Sequence, residues 1–224
     1  MKFIIDKRLK ENGLKVAMVK IADSTIVNKK KELEEEKKKL IDSLDWQRIE
    51  SSPILKEYKK LYTDTSLNPP ALNLLRLIKS KGRFPNINTV VDAYNLISAK
   101  TLFSIGAHDL SKIKGDIRFI VTTGTEKYTP LGSENNVAVD VNEYAAVDDE
   151  KIICYLDQKQ CQETKITKDT KEFIVYVQGN ETSSQEDVNK VLGEIIDAIK
   201  KFCGGDSTII QEKIETIKSA SMMR

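Results

Sequence analysis

The stretch from Gln185 to Cys203 constrains this chain more than any other. Within it Val188, Val191, Leu192, Ile195, Ile196, Ile199 and Phe202 recur at three- and four-residue steps, which places them on one stripe of a helix. A helix with a single apolar stripe has to bury it against another layer. The pattern therefore predicts a closing helix packed on a sheet. Ser183-Ser184-Gln185-Glu186 provides a capping box at its start, and Gly204-Gly205 ends it.

Candidate strands for that sheet are short, rich in β-branched residues and bounded by turn formers. They are Phe3 to Ile5, Val16 to Ile21, Ile117 to Thr122, Val137 to Val141, Ile152 to Leu156 and Phe173 to Val177. The first two are read as a strand, a turn at Asn12-Gly13 and a second strand. From Val27 to Leu44 the composition changes to Lys and Glu. Leu33, Leu40, Ile41 and Leu44 lie on one side of a helix there, and the charges form a solvated face. Further helices are expected around Ile54 to Tyr62, from a cap at Asn68-Pro69-Pro70 to Lys81-Gly82, and from Thr89 to Thr101. The fold class is α+β, with one domain over residues 1–205 and a helical tail over 206–224 that carries Ile209, Ile210, Ile214 and Ile217.

Composition excludes several classes of function. With 36 Lys and Arg against 34 Asp and Glu, the net charge of +2 gives no general attraction to phosphate. Cys154, Cys161 and Cys203 lack CxxC spacing, and one histidine is too few for a zinc site of the usual kind, so the thiols are read as reduced and no metal or cofactor is expected. No apolar run reaches the roughly 18 residues of a membrane span. A cytoplasmic protein is the simplest expectation, with no membrane partner.

Residues 82–132 carry the candidate site. The chain reads Asn86-Ile87-Asn88, then Val90-Val91-Asp92-Ala93-Tyr94-Asn95, then Ser104-Ile105-Gly106-Ala107-His108-Asp109-Leu110 and Lys114-Gly115-Asp116-Ile117. Asp92 and Asn95 are three apart on one helix face, where they either bind a ligand's polar groups or satisfy loop backbone. Asp109 before Leu110-Ser111-Lys112 suits a helix cap better than an acid. His108 is the only side chain that titrates near neutrality unaided, although a lone loop histidine is more often structural.

This order and spacing resembles the B3/B4 module, the tRNA-associated editing domain of the phenylalanyl-tRNA synthetase beta subunit. The likeness covers residues 50–205, and the paired Val-Asp-x-x-Asn and Ala-x-Asp-Leu motifs carry it. It implies a β-sandwich-like core surrounded by helices, and a role in binding tRNA or aminoacyl-tRNA with hydrolysis of a mischarged amino acid in trans. A complete tRNA ligase is not implied. The alternative is a non-catalytic binding module for RNA or a small amino-acid-like ligand.

By the same resemblance, the substrate-binding positions are Tyr94, Asn95, Gly106, His108 and Tyr176, supported by Asp92, Asp109 and Gln160. No catalytic residue is assigned. Three positions depart from the family pattern. Tyr94 stands where a threonine is usual, Gly106 where a histidine is usual, and Tyr176 where a glutamate is usual. The family's glycine-rich loop is replaced by Asp157-Gln158-Lys159-Gln160-Cys161-Gln162. A buried tyrosine substrate needs its hydroxyl satisfied, and the glutamate that could do so is missing, so tyrosyl-tRNA is not the expected substrate.

Overall fold

A computed structural model describes residues 1–64 and 66–213. In chain order the elements are β1 (Phe3–Ile5), α1 (Lys7–Glu11), β2 (Lys15–Ala22), α2 (Lys31–Ser43), α3 (Trp46–Ser51), α4 (Pro53–Glu57), a 3-10 turn (Tyr58–Leu61), α5 (Pro70–Lys81) and α6 (Thr89–Thr101). They continue with β3 (Ser104–Asp109), a second 3-10 turn (Leu110–Lys112), β4 (Ile117–Val121), β5 (Tyr144–Val147), β6 (Ile152–Tyr155), β7 (Lys159–Gln160), β8 (Glu172–Gly179), α7 (Gln185–Cys203) and β9 (Asp206–Ile210).

The strands form two sheets, one in the order β1-β4-β5-β6-β7 and the other in the order β3-β8-β2-β9. Alternation along the second sheet divides the core. Ala17, Val19, Ile21, Ile105, Ala107, Val175 and Val177 pack with the helices. Val16, Met18, Ile174 and Tyr176 pack instead with Ile117, Phe119 and Tyr144 of the first sheet. The layers are thus helices, four-stranded sheet and five-stranded sheet, an α+β fold with a sandwich at its centre.

Both seams of the sandwich are tied. At one, Phe3 N donates to Gln211 O and Lys213 N donates to Phe3 O at 2.7 Å. At the other, Gln160 Nε2 on β7 donates to Ala107 O on β3 at 2.8 Å. α7 meets the sheet with its predicted stripe, where Val188, Ile195 and Ile199 are fully buried. Its capping box joins Ser184 to Asp187, one residue later than the sequence suggested.

Four local expectations are corrected. The N-terminal strands are joined by more than the expected turn: Asp6 accepts from Arg8 N and starts α1 ahead of Asn12-Gly13, so β1 and β2 enter different sheets. Pro69, not Asn68, occupies the cap position of α5. Residues 137–141 form no strand, because their backbone is held by scattered loop and side-chain bonds instead of a ladder: Val137 N donates to Tyr128 O, Asp140 N to the Tyr155 hydroxyl, and Asp140 O accepts from Thr122 Oγ1. Residues 206–210 are a strand and not part of a helical tail, since the β-branched Thr208, Ile209 and Ile210 pair antiparallel with the open side of β2. The remainder of that expected tail, including Ile214 and Ile217, lies outside the described residues.

Candidate functional site

The structure brings Gly106, His108 and Tyr176 together on the inner face of the four-stranded sheet. β3 pairs antiparallel with β8, so Gly106 lies opposite Tyr176 and His108 opposite Ile174. Glycine at 106 is required by packing: a Cβ there would run into the Tyr176 ring. The segment read as a loop around His108 is strand. Its ring stacks on Tyr176 with centroids 5.7 Å apart, and Phe119 meets Tyr176 edge-on at 5.3 Å.

Both imidazole nitrogens of His108 are engaged, Nδ1 with Thr164 Oγ1 at 2.8 Å and Nε2 with the Tyr176 hydroxyl at 3.2 Å. The side chain is 1% exposed. Burial pushes its pKa down to about 3, against a smaller opposing pull from Asp148. His108 is accordingly a neutral core histidine and not a group poised near neutrality. Space that a small residue at 106 could have left open is filled by the Tyr176 ring.

Asp109 is a cap, as its spacing suggested. Its carboxylate accepts from Ser111 N at 2.9 Å and from Thr170 Oγ1 at 2.7 Å. Gln160 joins the cluster from the other sheet through its bond to Ala107 O.

The helix-borne residues separate from this group, because α6 packs on the opposite face of the sheet, with Ile105 and Ala107. Asp92 is 1% exposed and bonds Lys37 Nζ of α2 at 2.5 Å, while accepting from Ile87 N at 3.0 Å. Lys37 is itself buried and also bonds Glu34 and Asn86. Asp92 therefore belongs to the scaffold. Tyr94 is buried within the helix-side core. Asn95 is half-buried and makes no side-chain hydrogen bond among the described residues.

Sequence reasoning missed a second polar group between the sheets. After β6 the chain turns through Leu156 (φ 53°) and Asp157 (φ 59°), both left-handed without being glycine. The turn buries Asp157, whose Oδ1 accepts from Gln178 Nε2 of β8. Gln178 in turn accepts from the Tyr144 hydroxyl at its side chain and from the Tyr58 hydroxyl at its backbone carbonyl. Burial pushes the Asp157 carboxyl up to about 7, offset in part by bonds from Ser104 and Gln178. Asp157 Oδ2 and the Tyr62 hydroxyl have no partner among the described residues. The one available signal was the absence of glycine from a turn that sharp.

Outside this turn lies an open cleft of about 440 Å³, with Pro130, Leu131, Val137, Ala138 and Asp140 on one side and Tyr155, Lys159 and Gln160 on the other. No helix among the described residues is long and apolar enough to cross a membrane.

A family model described as the B3/4 domain matches residues 58–204. This chain belongs to the B3/4 domain family. No curated protein matches it. Among solved structures it is similar to an N-terminal fragment of the phenylalanyl-tRNA synthetase beta subunit from Pyrococcus horikoshii, at 16% identity and a TM-score of 0.47 over 92% of this chain. It spans half the length of that fragment.

Proposed function

We propose that this B3/4 protein is a tRNA-related binding module of the cytoplasm that receives an aminoacyl-tRNA end without hydrolysing tyrosyl esters. Family membership supports the tRNA link. The observation that carries the rest is the Tyr176 ring packed over Gly106 with its hydroxyl on His108. To act as a general base, His108 would have to present a nitrogen lone pair to the substrate or to a water beside it. His108, with both nitrogens bonded and 1% exposure, offers none.

A second reading, deacylation of another mischarged aminoacyl-tRNA, is favoured by the half-buried amide of Asn95, which makes no side-chain hydrogen bond among the described residues. Such a reaction can use positioned water without a protein nucleophile. The two are separated by one panel of charged tRNAs, scored for retention on the protein and for release of amino acid. Saturable retention with release at the buffer rate supports the binding module, release well above buffer supports the deacylase, and neither retention nor release removes both. If Asn95 contacts the ligand, Asn95→Ala should weaken retention about 5- to 150-fold, the equivalent of about 1–3 kcal/mol for an unmade buried hydrogen bond, while leaving the melt unchanged. A lowered melt with unchanged retention would make Asn95 structural.

A further inference from the structure

We infer that the turn between β6 and β7 is a pH-sensitive latch, which holds one seam of the sandwich shut while Asp157 is protonated and swings outward when that carboxyl ionises. The latch is a device of the fold itself and stands apart from the tRNA reading.

The closed turn is strained. Leu156 and Asp157 lie consecutively in the left-handed region, at φ 53° and 59°, which an aspartate tolerates and a leucine adopts only at a cost. On the near side the turn is kept in place by Leu156 N, which donates to Tyr144 O at 2.8 Å, and by Asn73 Nδ2, which donates to Gln158 Oε1 at 2.8 Å. Across the seam, Asp157 Oδ1 accepts from Gln178 Nε2 of the four-stranded sheet. The next bond across the same seam is that of Gln160 Nε2 to Ala107 O. The hold of the turn on the opposite sheet therefore depends on a buried carboxyl.

The surroundings of that carboxyl suit its neutral form alone. Oδ2 and the nearby Tyr62 hydroxyl have no partner among the described residues. Facing Asp157 are Tyr58 and Tyr62 from the first 3-10 turn and its end, Ser104 of β3, Tyr144 of β5, Cys154 of β6, and Tyr176 and Gln178 of β8. Each is a hydroxyl, a thiol or an amide, and none is a cation. Lys159, the base nearest in the chain, lies over the Tyr155 ring instead, 5.5 Å from its centroid. A carboxylate here would be buried without a counter-charge. Water is close by, since Gln158 and Lys159 line the open cleft outside the turn.

Outward rotation of the turn would relieve the strain at Leu156 and place the charge in water, where it costs least. Burial pushes the carboxyl up to about 7 in the closed turn, and in the open turn it returns to the ordinary carboxylate range. Between those values the closed turn holds a proton that the open turn releases. Closure is therefore most favoured at low pH, weakens as pH rises to about 7 and changes no further above it. The open form is a local, minor state of a folded chain.

Cys154 reports the opening, because it is buried in the layer beside Asp157 and Tyr176. Cys203, buried in the helix-side core at the end of α7, is the internal control. Both thiols are labelled with iodoacetamide in the full chain, on either side of neutrality, and resolved by peptide mass spectrometry. Comparing the native chain with Asp157→Asn at each pH cancels the ionisation of the thiols themselves. Cys154 should label faster in the native chain, the ratio to the variant growing by up to about tenfold per pH unit to about pH 7 and staying level above it. Cys203 should label alike in both. Hydrogen exchange of the native chain needs no variant, and decides alone if Asp157→Asn fails to fold. Corrected for intrinsic rates, the amides of residues 156–161 should lose protection over the same pH range while those of α7 keep it. A Cys154 ratio independent of pH, the same ratio at Cys203, or a turn that keeps its protection would each overturn the latch, the second because it marks opening of the whole chain.

Discussion

Gly106 and Tyr176 form a pair in which one side chain is defined by the absence of the other. Because a Cβ at 106 would meet the ring, Gly106→Ala should destabilise the fold by about 1–3 kcal/mol through overpacking. Tyr176→Ala alone should lose about 3–5 kcal/mol through the cavity left between the sheets. In the double variant the added methyl enters space the ring has vacated, so its cost should vanish. A double-mutant cycle by denaturant melts measures this coupling, and additive losses would show that the ring does not rest on residue 106. The family resemblance groups Gly106, His108 and Tyr176 in one site, but the contact between glycine and ring is not legible in the sequence. Gly106 and Tyr176 are far apart in the chain, and only the register of β3 on β8 sets them face to face. The same register explains why His108 is silent: it points a histidine, read as a loop residue, into a closed layer.

At the scale of elements, the two helices whose local signals agree are legible in the sequence. α6 occupies Thr89–Thr101 as expected, since Asn88 caps it by accepting from Val90 N and Val91 N. α7 occupies Gln185–Cys203 because stripe, cap and Gly204 all agree. Ile195 is fully buried under that stripe, so Ile195→Ala should cost about 2–5 kcal/mol, and a loss below about 1 kcal/mol in a chemical melt would mark the helix as peripheral. Thr208, Ile209 and Ile210 are β-branched and favour a strand, but the spacing of Ile210, Ile214 and Ile217 also fits one face of a helix, and that spacing misleads at β9. The open side of β2, a long-range feature, made the choice. Lys37 of the charged helix was misread too: it is 3% exposed rather than solvated, and its bond to Asp92 ties α2 to α6. Lys37→Met should cost about 3–5 kcal/mol by leaving Asp92 charged and unpaired in the core. Adding Asp92→Leu should recover most of that loss in the same melts, whereas no recovery would mean that the carboxylate's bond to Ile87 N carries the energy.

For the whole molecule, two buried titratable groups in the inter-sheet layer set opposing pH dependences. Burial raises Asp157 from 3.8 to about 7, so between those values the folded chain holds a proton that the unfolded chain releases. Stability from this group is present below about pH 3.8 and is lost as pH rises toward 7. Burial lowers His108 from 6.5 to about 3, so between those values the unfolded chain holds a proton that the folded chain excludes. Stability from this group is present above about pH 6.5 and is lost as pH falls toward 3. From pH 3.8 to 6.5 the two proton differences cancel, and the pair contributes a nearly flat profile in the native sequence. Asp157→Asn should therefore uncover the histidine alone: relative to the native chain, its stability should rise with pH across this window by up to about 1.4 kcal/mol per unit. His108→Gln should do the reverse, its stability falling with rising pH at a similar slope. Urea melts of the three proteins at half-unit intervals give the slopes directly, with other carboxylates cancelling in the comparison. Parallel profiles for all three would mean that neither group changes its proton on folding, and that water reaches the layer between the sheets.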